Sequence, residues 1–248
     1  MHIHGVGIIS PAGRGLDVHR AALKGGELPV AADGFLRVQE KDLKDPRLAK
    51  DARRADRFDR MAILAGLDAF QDAGLGTDVD LSRVGLILAT GLGPHATTFR
   101  FLDDMINFRE KDVSPTLFSH SVHNAAASYI SLLAGLRGPT ITITRFSHAF
   151  EEGLMLARAW LEQQRCDYVL LGAVDELGVV MEKVLRLKSS GGDVPFREGG
   201  AFFVLSQKPA ARGYASVAVI KGRIQGALSG QHPCQDVFDF ATAVLSDD

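Results

Sequence analysis

Ser147 and His148 are the side chains in this sequence best placed by local pattern to do chemistry. They follow Thr140-Ile141-Thr142-Ile143-Thr144, a β-branched, period-two run that predicts a strand. They precede a helical pattern over residues 150–164. Strand, sharp turn and helix present a side chain at a helix N-terminus, where backbone N–H groups can stabilise an anion. A serine hydroxyl is a weak nucleophile without an adjacent base. His148 is poorly placed to be that base, because neighbouring residues at a helix start point in different directions. The G-x-S-x-G elbow of serine hydrolases is also absent. Thr90-Gly91-Leu92-Gly93-Pro94 looks like a phosphate loop only in its glycine pair. It lacks a third glycine at the right spacing and a Lys-Ser/Thr. Cys166 and Cys234 have no metal-type spacing. We therefore expect no metal and no cofactor.

The elements that must position these residues read as an alternation of strands and helices. Residues 3–9 predict a short strand closed by Ser10-Pro11-Ala12-Gly13. A helix is expected over 57–73, where Phe58, Met61, Leu64, Leu67 and Phe70 recur every third residue, with Gly74 as its C′ residue. Residues 84–89 are almost continuously apolar, the mark of a strand buried on both faces. A helix over 97–108, a loop after Ser114-Pro115 and an Ala/Leu-rich helix over 124–134 lead to the Thr140 strand. Residues 168–172 predict another buried strand. Segments 201–205 and 216–224 are expected to pair as further strands. Residues 41–60 mix charges of both signs, so they read either as a solvated loop and helix start or as a docking patch for an acidic carrier protein.

Length and composition fit this α/β reading. The chain has 248 residues, 46% hydrophobic and 23% charged, with a formal net charge of −2. That is an ordinary globular composition, long enough to bury a core. The near-neutral charge argues against a nucleic-acid or anionic-membrane partner. Two cysteines are too few for a disulfide framework, and no apolar run reaches membrane-spanning length. No signal peptide is evident, and a cytoplasmic setting is expected.

The order of these motifs resembles the N-terminal half of a β-ketoacyl synthase, a thiolase-fold condensing enzyme. Gly5-Val6-Gly7-Ile8-Ile9-Ser10-Pro11-Ala12-Gly13 resembles the family's opening G-x-G-x-x-S-P-x-G. Asp56-Arg57-Phe58 and Asp72-Ala73-Gly74-Leu75 resemble its first long helix. Ser114-Pro115, Asn124 and Gly135-Leu136-Arg137-Gly138-Pro139 resemble the run leading to its nucleophile. Asp167 to Asp175, with Gly172, resembles the strand that follows. Pro195-Phe196-Arg197-Glu198-Gly199-Gly200-Ala201 resembles a shortened form of its P-F-D…G-E-G-A loop. The implied fold class is α/β: residues 1–248 as one thiolase-like half-domain, a mixed sheet of about five strands with helices on both faces.

Two departures bear on function. Counting from Gly138-Pro139, the family's nucleophilic cysteine falls on Ser147. The sequence also ends before the second half that carries the family's two catalytic histidines. The resemblance therefore implies a non-catalytic subunit like a chain length factor, paired as a heterodimer with a complete, cysteine-bearing ketosynthase. It would meet an acyl carrier protein through that complex, in type II polyketide or fatty-acid-like synthesis, with aryl polyene pathways as the expected setting. A lone half exposes a face that is otherwise buried, a physical reason to expect a partner. The carry-over places Thr98, Phe101 and Met105, with Leu102 beside them, at positions that gate the partner's acyl tunnel. Ordinary core packing is the alternative for these residues. Leu117 and Phe118 are expected to line the same tunnel. Thr140, Ile141, Thr142, Ile143, Thr144 and Phe146, with Asn124 and its helix, are expected at the subunit interface, burying more than about 2,000 Å² in total. The rival is a serine-dependent acyl-carrier hydrolase or acyltransferase using Ser147. The resemblance brings the loop holding His120 and His123 near the active-site mouth, so Ser147–His123 is the pairing such an enzyme would use.

Overall fold

The computed structural model describes residues 1–25, 35–75, 77–108, 113–188, 197–210, 214, 216–218 and 233–246. One mixed sheet organises them. Its strands are β1 (His2–Ser10), β2 (Gly13–Arg14), β3 (Val84–Thr90), β4 (Thr140–Thr144), β5 (Tyr168–Asp175) and β6 (Gly199–Ser206). They lie in the order β2-β1-β6-β5-β3-β4. β3 pairs in parallel with both β4 and β5, whereas β6 runs antiparallel to β5 and β1. Central strands β3 and β6 are buried along their whole length, which explains their near-continuous apolar sequence. The sixth strand, beyond the five expected, is the two-residue β2.

Helices cover both faces. On one, α6 (Ala149–Glu162) and α8 (Pro233–Leu245) bury Phe150, Leu154, Trp160, Phe240 and Val244 against Ile87, Leu171 and Phe203. On the other, α2 (Arg57–Asp72) and α5 (Ala125–Ala134) bury Phe58, Met61, Leu64 and Ile130 against Leu86, Leu88 and Phe202. Asp56 starts α2 by accepting Asp59 N–H at 2.8 Å, a side-chain cap that satisfies an otherwise orphaned donor. Gly74, at φ 55°, follows its C-cap as expected. The remaining helices are α1 (Leu16–Leu23), α3 (His95–Phe108), α4 (Pro115–His120) and α7 (Val179–Lys188).

The opening G-x-G has a packing cause. A Cβ on Gly5 would overlap Ala69 O and Ala73 N of α2, and one on Gly7 would overlap Ala65 O and Ala69 N. Strand β1 and helix α2 thus meet backbone to backbone. Asp72 adds a tie by accepting Val6 N–H at 2.9 Å and Tyr214 O–H at 2.7 Å.

Three expectations are corrected. Residues after Ser114-Pro115 form a helix, α4, not a loop: Ser114 caps it at Leu117 N–H and Pro115 occupies its first turn. The 41–60 segment is only partly solvated, since Leu43, Leu48, Ala52 and Ala55 join the α2 core. Its Asp45 and Arg47 form an ion-pair cluster with Arg14 and Asp68. Ser216 bridges His2 rather than pairing with the 201–205 strand, because β1 and β5 already occupy both edges of β6. Residues 219–224, like Pro195 and Phe196, lie outside the described residues.

Candidate functional site

The parallel strands β3, β4 and β5 end together, and their following turns carry the candidate site. Ligands of open parallel sheets bind outside these carboxyl ends. Asp175, at the end of β5, clamps the turn after β3. It accepts Thr90 O–H at 2.6 Å, Leu92 N–H at 2.9 Å and Gly91 N–H at 3.1 Å. A carboxylate thus already occupies the donors a phosphate would need, which removes the phosphate-loop reading of Thr90 to Pro94.

Ser147 is half-buried in the turn between β4 and α6. His148 caps α6 at φ 63°, a left-handed backbone uncommon for a non-glycine residue. Its Nδ1 donates to Glu151 Oε2 at 2.9 Å, so the ring is engaged with its own helix. Arg145, also exposed, pairs with Glu152. His120 is turned inward: its Nδ1 lies 3.1 Å from Asp59 Oδ2, and its Nε2 lies 3.4 Å from Tyr129 Oη. His123 packs over Gly93, where an added Cβ would overlap its ring. Among the described residues no imidazole is hydrogen-bonded to Ser147.

Helix α3 is held through its first turn and carries exposed apolar residues beyond it. Thr97 donates to Asp56 Oδ2 at 2.6 Å, and Ala96 N–H donates to Glu176 Oε1 at 2.8 Å. His95 Nε2 accepts Gly178 N–H at 2.9 Å. His95 and Thr97 are the buried residues of α3. Phe99, Leu102, Met105 and Phe108 are each exposed, and Ile106 is 77% exposed. Arg100, Asp103 and Asn107 are exposed as well, so beyond its first turn the helix shows polar and apolar side chains to solvent alike. Thr98 and Phe101 are half-buried. The Thr98 hydroxyl lies 3.0 Å from both Pro94 O and Ser121 O, joining α3 to the end of α4. The Phe101 ring packs on Phe118, centroids 5.5 Å apart. The structure therefore brings Thr98, Phe101 and Phe118 together. Leu102 and Met105 stand on the open surface and Leu117 is half-buried.

Two buried carboxyls beneath these helices are shifted. Burial, reinforced by Asp56, pushes the Glu176 carboxyl up to about 8. Burial likewise raises Asp59, with Asp56 adding to it. Arg57 forms a two-pronged pair with the fully buried Glu198, Nε to Oε1 at 2.6 Å and Nη2 to Oε2 at 2.8 Å. This joins Asp56-Arg57-Phe58 to Glu198-Gly199-Gly200, two motifs far apart in sequence. Sequence reasoning missed Asp59, Glu176 and Asp175 as anchors. The Ser-Pro start of α4 was the signal that could have placed His120 on a helix.

Strand β4 is the sheet edge, and no strand among the described residues pairs with its outer side. Ile141 is 40% and Phe146 70% exposed, while Ile143 is half-buried against the α6 face. Asn124 is exposed at the start of α5 and makes no side-chain cap. Thr140 lies 3.4 Å from Ser131 of α5 through their hydroxyls. No helix among the described residues is long and apolar enough to cross a membrane.

Comparison with known proteins places this arrangement. Residues 11–190 match the family model for the β-ketoacyl synthase N-terminal domain. The chain is 29% identical over 154 residues to a 3-oxoacyl-[acyl-carrier-protein] synthase 2 of Vibrio harveyi, covering 57% of this chain and 37% of that protein. It is 25% identical over 210 residues to the corresponding synthase of Coxiella burnetii, covering 78% and 50%. The chain thus spans between about a third and a half of these curated relatives. Among solved structures, the ishigamide ketosynthase/chain length factor superposes with a TM-score of 0.74 at 17% identity, covering 100% of this chain and 91% of that one. The ketosynthase ApeO in complex with its chain length factor ApeC, from Xenorhabdus doucetiae, gives 0.62 at 19%, covering 83% and 78%. At such identities the structural likeness establishes the thiolase-like fold alone. The matched span covers most of the sequence and takes in the G-x-G packing partner α2, the edge strand and the Ser147 turn, so the chain belongs to the β-ketoacyl synthase family through its N-terminal domain.

Proposed function

We propose that this chain is a non-catalytic, chain-length-factor-like subunit that pairs with a complete ketosynthase and shapes its acyl tunnel. The observation that carries the reading is the exposed apolar surface of helix α3. His95 and Thr97 are bonded inward, while Phe99, Leu102, Met105 and Ile106 are exposed. Contiguous exposed apolar surface is costly in water and marks an interaction site. The open edge of β4 supports the same reading, since unpaired backbone groups template a partner strand. Ser147 at the nucleophile position, with no imidazole among the described residues bonded to it, supports a subunit that does not condense. The likeness to solved ketosynthase and chain length factor complexes supports the proposed partner, a cysteine-bearing ketosynthase, with an acyl carrier protein reaching the pair through it. Type II polyketide synthesis, and within it an aryl polyene pathway in the cytoplasm, is the proposed setting.

The test is co-expression with a tagged full-length ketosynthase. The chain should co-elute as a heterodimer and should take up no acyl group on Ser147 from acyl carrier protein. Ile143→Pro should abolish co-elution, because proline removes a ladder donor on the edge strand. Co-elution of a folded Ile143→Pro protein would refute the β4 interface. A stable acyl mass on Ser147 would overturn the non-catalytic reading.

A further inference from the structure

A second serine and histidine, far from the β4–α6 turn in sequence, have the geometry that Ser147 lacks. Ser10 ends β1 and His19 lies on α1. Ser10 Oγ is 2.7 Å from His19 Nε2, and both residues are buried. His19 Nδ1 is 2.7 Å from Gly15 O. A carbonyl can only accept, so Nδ1 carries the proton. Nε2 of the neutral ring is then an acceptor, and the Ser10 hydroxyl donates to it. Ala12 N–H donates to Ser10 Oγ at 3.1 Å, fixing the oxygen from the other side. Burial lowers the His19 pKa, which keeps the ring neutral near pH 7.

The pair opens onto a cavity of about 220 Å³. Ile8, Ala22, Leu23, Phe238 and Leu245 give it an apolar wall, and Arg197 contributes a cation. Arg197 Nε is buried and makes no hydrogen bond among the described residues. An apolar cavity of roughly 150 Å³ admits benzene, so this one has room for an acyl chain of about four carbons. A nucleophile, an oriented base, a cation and an apolar sleeve thus meet in one cavity, and the partner-subunit reading uses none of them.

The non-catalytic reading concerns condensation at Ser147; apart from it, we propose that Ser10 and His19 form an acylatable dyad that takes short-chain acyl thioesters in this cavity. Ser10 Oγ adds to the thioester carbonyl as its proton passes to His19 Nε2. The C–S bond breaks, His19 returns the proton to the departing thiolate, and an ester remains on Ser10. Water, deprotonated by the same ring, then releases the carboxylic acid and restores the hydroxyl. Arg197 supplies positive charge to the oxyanion side of the cavity.

The experiment uses the full chain with butyryl-N-acetylcysteamine, reading thiol release and mapping butyryl groups by peptide mass spectrometry. Butyryl should appear on Ser10, and Ser10→Ala should abolish both signals. His19→Asn should slow thiol release by at least about 100-fold, the lower range for general-base catalysis. The rate should change little from about pH 7 to 8, as a buried, neutral imidazole requires. Leu23 is 44% exposed, so Leu23→Trp should fold normally while narrowing the cavity and slowing butyryl transfer. It decides the matter if His19→Asn fails to fold. No butyryl on Ser10, butyryl on Ser147 instead, or unchanged rates in folded His19→Asn or Leu23→Trp would overturn the dyad.

Discussion

Truncating Phe101 to alanine separates a tunnel gate from a core residue. A fully buried phenylalanine costs about 3–5 kcal/mol when cut to alanine. Phe101 is only half-buried, on a helix whose neighbours Leu102 and Met105 face solvent. Its main fixed partner is the Phe118 ring at 5.5 Å, and such a pair is worth about 0.5–1.5 kcal/mol beyond area burial. With partial loss of apolar burial, Phe101→Ala should cost the isolated chain about 1–2 kcal/mol. Urea unfolding by circular dichroism measures this. In the reconstituted ketosynthase pair, removing the ring opens space at the tunnel end, because packed interiors tolerate even one methylene poorly. Product analysis by mass spectrometry should then show longer chains. Thr98→Phe should shorten them, at the expense of the hydroxyl tie to Pro94 or Ser121. A loss above about 3 kcal/mol would make Phe101 a core residue. An unchanged length distribution from a folded, paired variant would show that α3 is not the gate.

Three further outcomes follow from the buried network. Arg57→Met should destabilise the chain by about 3–5 kcal/mol in denaturant titration, because it strands the fully buried Glu198 carboxylate; a loss under 1 kcal/mol would show that the pair is dispensable. Glu176, raised to about 8 by burial, binds its proton in the folded chain where the unfolded chain has released it, so stability present below about pH 4.5 should fall as pH rises towards 8. Each pKa unit is worth about 1.4 kcal/mol, and Glu176→Gln should flatten this slope in melts across pH 5–8; an unchanged slope refutes the assignment. Gly7→Ala should lower stability by at least about 1–3 kcal/mol, since its Cβ meets α2 backbone rather than a movable side chain; a neutral melting temperature would show that β1 and α2 can separate at little expense.

Sequence alone determined the local elements. Local patterns placed β3, β4, α2 and α6 within a few residues, because each is dictated by its own stretch of sequence: a continuous apolar run in β3, alternation in β4 and apolar residues every third position in α2. The spacing from Gly138-Pro139 put Ser147 at the turn between β4 and α6, and the motif order identified the family. Tertiary structure decided what those motifs are for. Arg57 and Glu198, distant along the chain, read as separate motifs until folding brought them to 2.6 Å. Helical spacing could show that Phe101, Leu102 and Met105 share α3, but not which side faces water. That was settled by Asp56 and Glu176, carboxylates on other elements that hold the first turn of α3 from within. Ser10 likewise stood in the opening motif with nothing to tie it to His19, because their 2.7 Å contact depends on how α1 folds back over the end of β1. Periodicity reports the environment of a segment one turn at a time; hydrogen bonds between segments depend on where the rest of the chain lies.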